Sequence, residues 1–228
     1  MLGNDVVDLE DPETLPDTFR PRFETRVFDA VERRAIAHDP NPHARRWAHW
    51  AGKEAAYKLA RQIDDRFVFS PGRLVVRFEG WADDASGESV RHGHVALPDG
   101  LLPGDAGRLE LRWTEHDGAV HVIARPGGSD WGAVTTSVES LAPDMDPSAA
   151  VRALARERVA RDLAIDADRV RIGARGRVPT LEIDGTTGAG AISLSHHGRF
   201  VACAMAIDVE VPIEGAGASA GGSRAGAG

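Results

Sequence analysis

The chain has 228 residues, one cysteine and a formal net charge of -8. This length allows one sizeable domain or two small domains in contact, and the single cysteine excludes an internal disulfide. The negative charge argues against a general nucleic-acid binder or a protein that binds anionic membranes.

The first residues carry no basic segment followed by an apolar one, and no run of 18 apolar residues occurs in the chain. Both features argue against a secretory signal and a membrane-spanning helix. We therefore expect a soluble, cytoplasmic protein without a membrane partner.

The first half of the chain predicts an α+β unit. A brief strand over residues 6–9 is followed by helices over 19–37, with Asp29 as a candidate N-cap, and over 43–62. An Asp-Gly pair at 117–118 predicts a hairpin. The expected strands after the helices are 67–69, 74–78, 94–97, 109–113 and 120–124.

The second half predicts a similar set of elements. Ser148 is a good N-cap for an amphipathic helix that reaches residue 165, and residues 195–198 read as a turn. The predicted strands are 169–172, 181–183, 191–194 and 200–207. We divide the chain into lobes 1–128 and 129–212, followed by a Gly/Ala/Ser tail at 213–228 that is expected to be disordered.

The second predicted helix carries the most distinctive side chains. Trp50, Glu54 and Lys58 are spaced i, i+4, i+8, which places them on one face. Its apolar residues put this row at the margin of a buried face, where a carboxylate is partly desolvated. The alternative is a solvated ion pair between Glu54 and Lys58.

Three sets of residues are further candidates for chemistry. Asp5 and Glu54 would form a carboxylate pair suited to Mg²⁺ if the fold brought them together. The segment 195–198, Ser-His-His-Gly, suits a phosphate or is an ordinary hairpin. Residues 150–177 contain eight arginines and four acids, which make either a solvated helix face or an anion site.

Taken together, these motifs resemble the 4'-phosphopantetheinyl transferase superfamily. Gly3-Asn-Asp5 looks like the family's Gly-hydrophobe-Asp motif, and the segment 50–58, Trp-Ala-Gly-Lys-Glu-Ala-Ala-Tyr-Lys, looks like its Trp-Ser-x-Lys-Glu-Ala-x-x-Lys motif. The segment 193–196, Ser-Leu-Ser-His, is similar to the family's Ser-Ile-Ser-His. Val7 stands where two-lobed members carry a second acid.

The resemblance implies two similar α+β lobes related by pseudo-twofold symmetry. The Ser-His stretch follows the Asp motif, as in the small holo-acyl-carrier-protein synthases, but the chain is about twice their length. We therefore expect a monomer with its lobes in permuted order. Arg177 would then stand where the family has the Lys of a Gly-Lys-Pro.

The implied activity is transfer of the 4'-phosphopantetheine arm of coenzyme A to a serine of an apo acyl or peptidyl carrier protein. The expected metal ligands for Mg²⁺ are Asp5 and Glu54. Lys58 is expected to offset phosphoryl charge, and an ionised Glu54 or a metal-bound water to take the serine proton. The expected coenzyme A ligands are Ser195, His196, Arg177 and Lys53.

Two alternatives remain open from the sequence. A coenzyme A-binding module without turnover would explain Val7 and Asn4, which replaces the family's Ile or Val. An unrelated α+β interaction protein would make the motifs coincidental.

Overall fold

The computed structural model describes residues 1–20, 22–84, 87–97 and 108–207. A five-stranded antiparallel sheet in the order β1-β5-β4-β3-β2 organises the first lobe. Its strands are β1 (Gly3–Asp8), β2 (Val76–Asp83), β3 (Ser89–Ala96), β4 (Arg108–His116) and β5 (Ala119–Pro126).

Three helices lie between the first two strands: α1 (Phe23–Val27), α2 (Ala30–Ala37) and α3 (Pro42–Ile63). The long helix α3 packs across β1 and β5 and shares the first hydrophobic core with the sheet. Alanines at the helix surface allow this close approach, because all six alanines from Ala44 to Ala60 are completely buried.

The second lobe contains one helix and two small sheets. Helix α4 (Pro147–Leu163) packs against the sheet β10-β11-β6 and a second sheet, β7-β8-β9. The strands are β6 (Val134–Ser140), β7 (Val170–Arg175), β8 (Val178–Ile183), β9 (Thr186–Thr187), β10 (Gly190–His197) and β11 (Phe200–Ile207). Its hydrophobic core is separate from that of the first lobe.

The two lobes repeat one connectivity. In each lobe the first strand, β1 or β6, is followed by a long helix and pairs antiparallel with the lobe's last strand, β5 or β11. The last strand in turn pairs with the strand before it, β4 or β10. The predicted fold class, α+β with two similar lobes, is confirmed, whereas the exact boundary at 128/129 stays a prediction.

Several element predictions are confirmed. Asp29 caps α2 in a capping box with Glu32, the hairpin at 117–118 joins β4 to β5, and the strand 200–207 has the predicted bounds.

Other predictions are wrong. The segment 19–37 forms two helices instead of one, residues 67–69 form no strand, and β6 was not predicted. The N-cap of α4 is Asp146, whose carboxylate accepts from the Ala149 N–H, so Ser148 is the second residue of the helix and not its cap. Strand β10 continues to residue 197, and the turn holds only residues 198–199.

No helix within the described ranges is both long and apolar enough to cross a membrane. The predicted disordered tail, residues 213–228, lies outside the described residues.

Candidate functional site

The contact between β1 and α3 brings three predicted site residues together. Lys58 Nζ donates to Asp5 Oδ1 at 2.7 Å and to the Asn4 carbonyl oxygen at 2.9 Å. Glu54 lies one helical turn before Lys58 on the same face. The cation of Lys58 therefore pairs with a carboxylate 53 residues away in sequence, and the alternative of a solvated Glu54–Lys58 pair is not the arrangement found.

The environment of Glu54 favours its protonated form in the absence of a cation. Burial, followed by the like charge of Asp5, raises the pKa of Glu54 to about 7, and Lys58 opposes this only in part. A buried carboxylate beside a second carboxylate forms a site that gains from a bound positive charge.

These two carboxylates fit a hard divalent cation. Mg²⁺ prefers oxygen ligands and is commonly held by one or two carboxylates, with substrate phosphates and water completing its coordination. Val7 contributes no carboxylate and is buried in the first core. No cluster of three or more His, Cys, Asp or Glu residues suited to a metal occurs in the part of the chain that the structure describes. The carboxylates that the structure brings together at this place are Asp5 and Glu54.

The structure corrects the role expected for Lys53. Its side chain is fully buried, and Nζ donates to Glu32 at 2.8 Å and to the carbonyl oxygens of Pro71 and Leu74. Burial works against the ionised form of Glu32, but His49 and Lys53 beside it keep its pKa below the ordinary value. Lys53 therefore stabilises the first lobe and is not placed to bind coenzyme A.

The carboxylate partner of Lys53, Glu32, is buried, with 1 % of its surface exposed. It accepts from Lys53, from the Val76 N–H and from the Asp29 N–H. These contacts join α2, α3 and the start of β2 behind the candidate site.

Ser195 and His196 lie on opposite faces of β10, because successive side chains of a strand alternate. The buried Ser195 hydroxyl points to β1 and donates to Asp5 Oδ1 at 2.8 Å. His196 is exposed and lines a pocket of about 290 Å³ with Arg152 and Arg177. The structure thus separates two residues that the motif grouped.

A cleft between the lobes extends from Lys58 to His196. One pocket, of about 210 Å³, lies between α3 and the second lobe and is lined by Lys58 and Arg177. Arg177 also lines the His196 pocket and a third, of about 490 Å³, with Arg61 and Arg175. Cations from both lobes therefore line the cleft, which suits a polyanion, while Asp64 and Asp65 also line the third pocket.

The remaining arginines of the 150–177 set do not form one site. Arg156 lines a separate groove with Arg171 between α4 and β7. Arg158 donates to the Thr136 carbonyl oxygen at 2.7 Å and to Ser137 Oγ at 3.0 Å.

Arg158 is the counterpart of Lys58 in the repeat of the lobes. Each side chain extends from the lobe's long helix to a carbonyl oxygen of its first strand and to the side chain of the next residue, Asp5 or Ser137. Four residues before each cation stand Glu54 and the buried Leu154. The second lobe thus has a cation, Arg158, at the position of Lys58, but it has Ser137 and Leu154 at the positions of the carboxylates Asp5 and Glu54.

Two sets of hydrogen bonds between the lobes were not predicted. The side chains of Ser193, Ser195 and His197 accept backbone N–H groups of β1. Nearby, the Asp8 carboxylate accepts three hydrogen bonds from Arg199. Burial opposes ionisation of Asp8, but these bonds outweigh it and lower its pKa to about 2. The alternation Ser-x-Ser-x-His was a sequence signal for a strand with one polar face.

Comparison with known proteins supports the resemblance seen in the motifs. Residues 1–72 match the model of the 4'-phosphopantetheinyl transferase superfamily. This range contains Asp5, Glu54 and Lys58, so the resemblance is confirmed there, and this part of the chain has the signature of a phosphopantetheinyl transferase. No curated protein matches the chain.

Among solved structures, the chain is similar to the holo-[acyl-carrier-protein] synthase of Thermotoga maritima. The two are 14% identical, the match covers 82% of this chain and 84% of the other, and the TM-score is 0.36.

Proposed function

We propose that this chain, with a phosphopantetheinyl transferase signature over residues 1–72, transfers the 4'-phosphopantetheine arm of coenzyme A to a serine of an apo carrier protein. The observation that carries the proposal is the convergence of Asp5, Glu54 and Lys58 beside a cleft lined by cations of both lobes. We infer the two substrates, coenzyme A and the carrier protein, from the superfamily resemblance.

The cleft suits coenzyme A, which carries a diphosphate and a further phosphate. Lys58 and Arg177 line the pocket nearest the carboxylates, and Arg152 and His196 line the adjoining one. Guanidinium groups bind phosphate oxygens through paired N–H donors. We assign the diphosphate to the Lys58 end and the remaining phosphate to the Arg177 and His196 end.

Asp5 and Glu54 would hold Mg²⁺, which when bound neutralises charge on the diphosphate oxygens. Lys58 adds a second positive charge at the same end of the cleft, where charge builds up in the transition state. The serine oxygen forms a bond to the phosphorus that bears the pantetheine arm. The bond from this phosphorus to the bridging oxygen breaks, and adenosine 3',5'-bisphosphate leaves with the electron pair.

We assign acceptance of the serine proton to Glu54, with a metal-bound water as the alternative base. The Glu54 pKa of about 7 lies close to neutral pH, where a carboxylate is both partly ionised and a better proton acceptor than an ordinary one.

The test is to incubate the protein with coenzyme A, Mg²⁺ and a panel of apo carrier proteins and to follow carrier mass by intact mass spectrometry. We expect a mass increase of one phosphopantetheine. Glu54→Gln and Asp5→Asn should lower the rate by about 10²-fold or more at low Mg²⁺, because each removes one of two carboxylates. Raising Mg²⁺ should partly restore both.

Two controls sharpen this test. Lys58→Ala should slow transfer without the same dependence on Mg²⁺, and Glu157→Gln, at an exposed position of α4, should leave the rate unchanged. Coenzyme A binding without transfer to any carrier would favour a non-catalytic module, and absence of coenzyme A binding would favour an unrelated interaction protein. A Glu54→Gln protein with the parental rate at low Mg²⁺ would remove Glu54 from the mechanism.

A further inference from the structure

The edge of β1 that does not pair with β5 is covered by side chains of the second lobe. One edge of β1 pairs with β5, which leaves the N–H groups of Asn4, Val6 and Asp8 on the opposite edge. They donate to Ser193 Oγ at 2.9 Å, Ser195 Oγ at 3.1 Å and His197 Nδ1 at 3.3 Å. The two strands run in the same direction, since each step of two residues on β1 matches a step of two on β10.

Ser195 differs from the other two side chains of this set. Its hydroxyl accepts from the Val6 N–H and also donates to Asp5 Oδ1 at 2.8 Å, whereas no carboxylate contact occurs at Ser193 among the described residues. A hydroxyl has a single proton to donate. While Ser195 donates to Asp5, it has no proton left for a phosphate oxygen of coenzyme A.

These contacts fix the orientation of the Asp5 carboxylate. Lys58 and Ser195 both donate to Oδ1, at 2.7 and 2.8 Å. No side-chain hydrogen bond to Oδ2 occurs within the described ranges, so Oδ2 is the oxygen left for a cation. Hydrogen bonds to a metal-binding carboxylate fix its orientation and raise metal affinity.

We propose that Ser195 is a positioning residue for Asp5, through which docking of the second lobe on β1 sets the cation affinity of the first lobe. The inference rests on the proposed function, because it takes Asp5 as a metal ligand. It replaces the coenzyme A-binding role that the motif implied for Ser195. The second lobe thereby contributes to the cation site although its own copy lacks both carboxylates.

The test measures Mn²⁺ binding by electron paramagnetic resonance in the full chain without coenzyme A or carrier. Ser195→Ala should weaken Mn²⁺ binding about 10-fold. Ser193→Ala is the matched control: it also removes one hydroxyl that accepts a β1 N–H group, and it should leave Mn²⁺ affinity unchanged. Ser195→Thr keeps a hydroxyl and should recover most of the lost affinity. Asp5→Asn removes one of the two proposed ligands and shows the electron paramagnetic resonance signal expected when the Mn²⁺ site is lost.

Urea unfolding of the same variants separates positioning from general damage. Both Ala variants should lose stability, because each leaves one β1 N–H group without its acceptor, and Ser195→Ala should lose somewhat more because it also removes the hydrogen bond to Asp5. Equal Mn²⁺ affinity in Ser195→Ala and Ser193→Ala, with parental binding intact, overturns the positioning role alone. A parental chain that binds no Mn²⁺ overturns both this inference and the metal in the proposed function.

Discussion

At the scale of single residues, Glu54 determines how the site responds to pH. Its pKa is raised from 4.5 to about 7, chiefly by burial and then by Asp5. The folded chain therefore holds a proton that the unfolded chain releases between these two values, and stability falls as pH rises through this window.

The first prediction concerns the pH dependence of stability that the Glu54 proton causes. Between pH 4.5 and 8, without Mg²⁺, the parental protein should lose about 3 kcal/mol of unfolding free energy relative to Glu54→Gln, which has no proton to lose. Urea unfolding at several pH values measures the difference. The comparison with the variant is needed because the pKa of the buried His121 is lowered to about 3, which makes stability rise with pH below 6.5. Parallel curves for the two proteins would contradict the environment assigned to Glu54.

At the scale of elements, the Lys53–Glu32 pair holds α2 and α3 together beneath the site. Lys53→Met leaves the buried Glu32 carboxylate without its cation, so unfolding free energy should fall by about 3–5 kcal/mol. Circular dichroism during urea unfolding measures this loss. The folded fraction should keep parental coenzyme A affinity, and a selective loss of that affinity with stability intact would restore the ligand role first expected for Lys53.

The packing of β1 on α3 depends on Gly3. A Cβ atom at this position would lie 2.0 Å from the Ala55 carbonyl oxygen, which belongs to the helix backbone and cannot move away alone. Gly3→Ala should therefore separate the strand from the helix and cost about 2 kcal/mol or more. Gly80→Ala in β2 is the matched control, since nothing lies within 4 Å of its Cβ position. Equal thermal unfolding midpoints of these two variants would show that β1 does not rest on α3 in this way.

At the scale of the whole molecule, the two lobes supply the two sides of one cleft. Arg177 and His196 come from the second lobe and Lys58 from the first. Since one chain provides both sides, we predict a monomer in solution. Light scattering tests this, and a stable trimer whose activity disappears on dissociation would contradict the two-lobe reading.

The sequence alone determined the α+β class, the long helix with Glu54 and Lys58, and the Asp5 motif at the start of β1. Local patterns carry this information, because helical periodicity, caps and alternation act between residues close in the chain. The Gly-Asn-Asp motif also marked Gly3, whose missing side chain the packing requires.

Only the tertiary structure decided the partners of these residues. Periodicity in the sequence assigns a side chain to one face of its own helix or strand, but it does not determine which other element packs against that face. Lys53 and Lys58 are five residues apart, yet one pairs with buried Glu32 and the other with Asp5. Ser195 meets Asp5 across 190 residues while its neighbour His196 faces the cleft. The docking of β10 along β1 fixed that difference, because alternation along a strand sends adjacent side chains to opposite faces once one face is set.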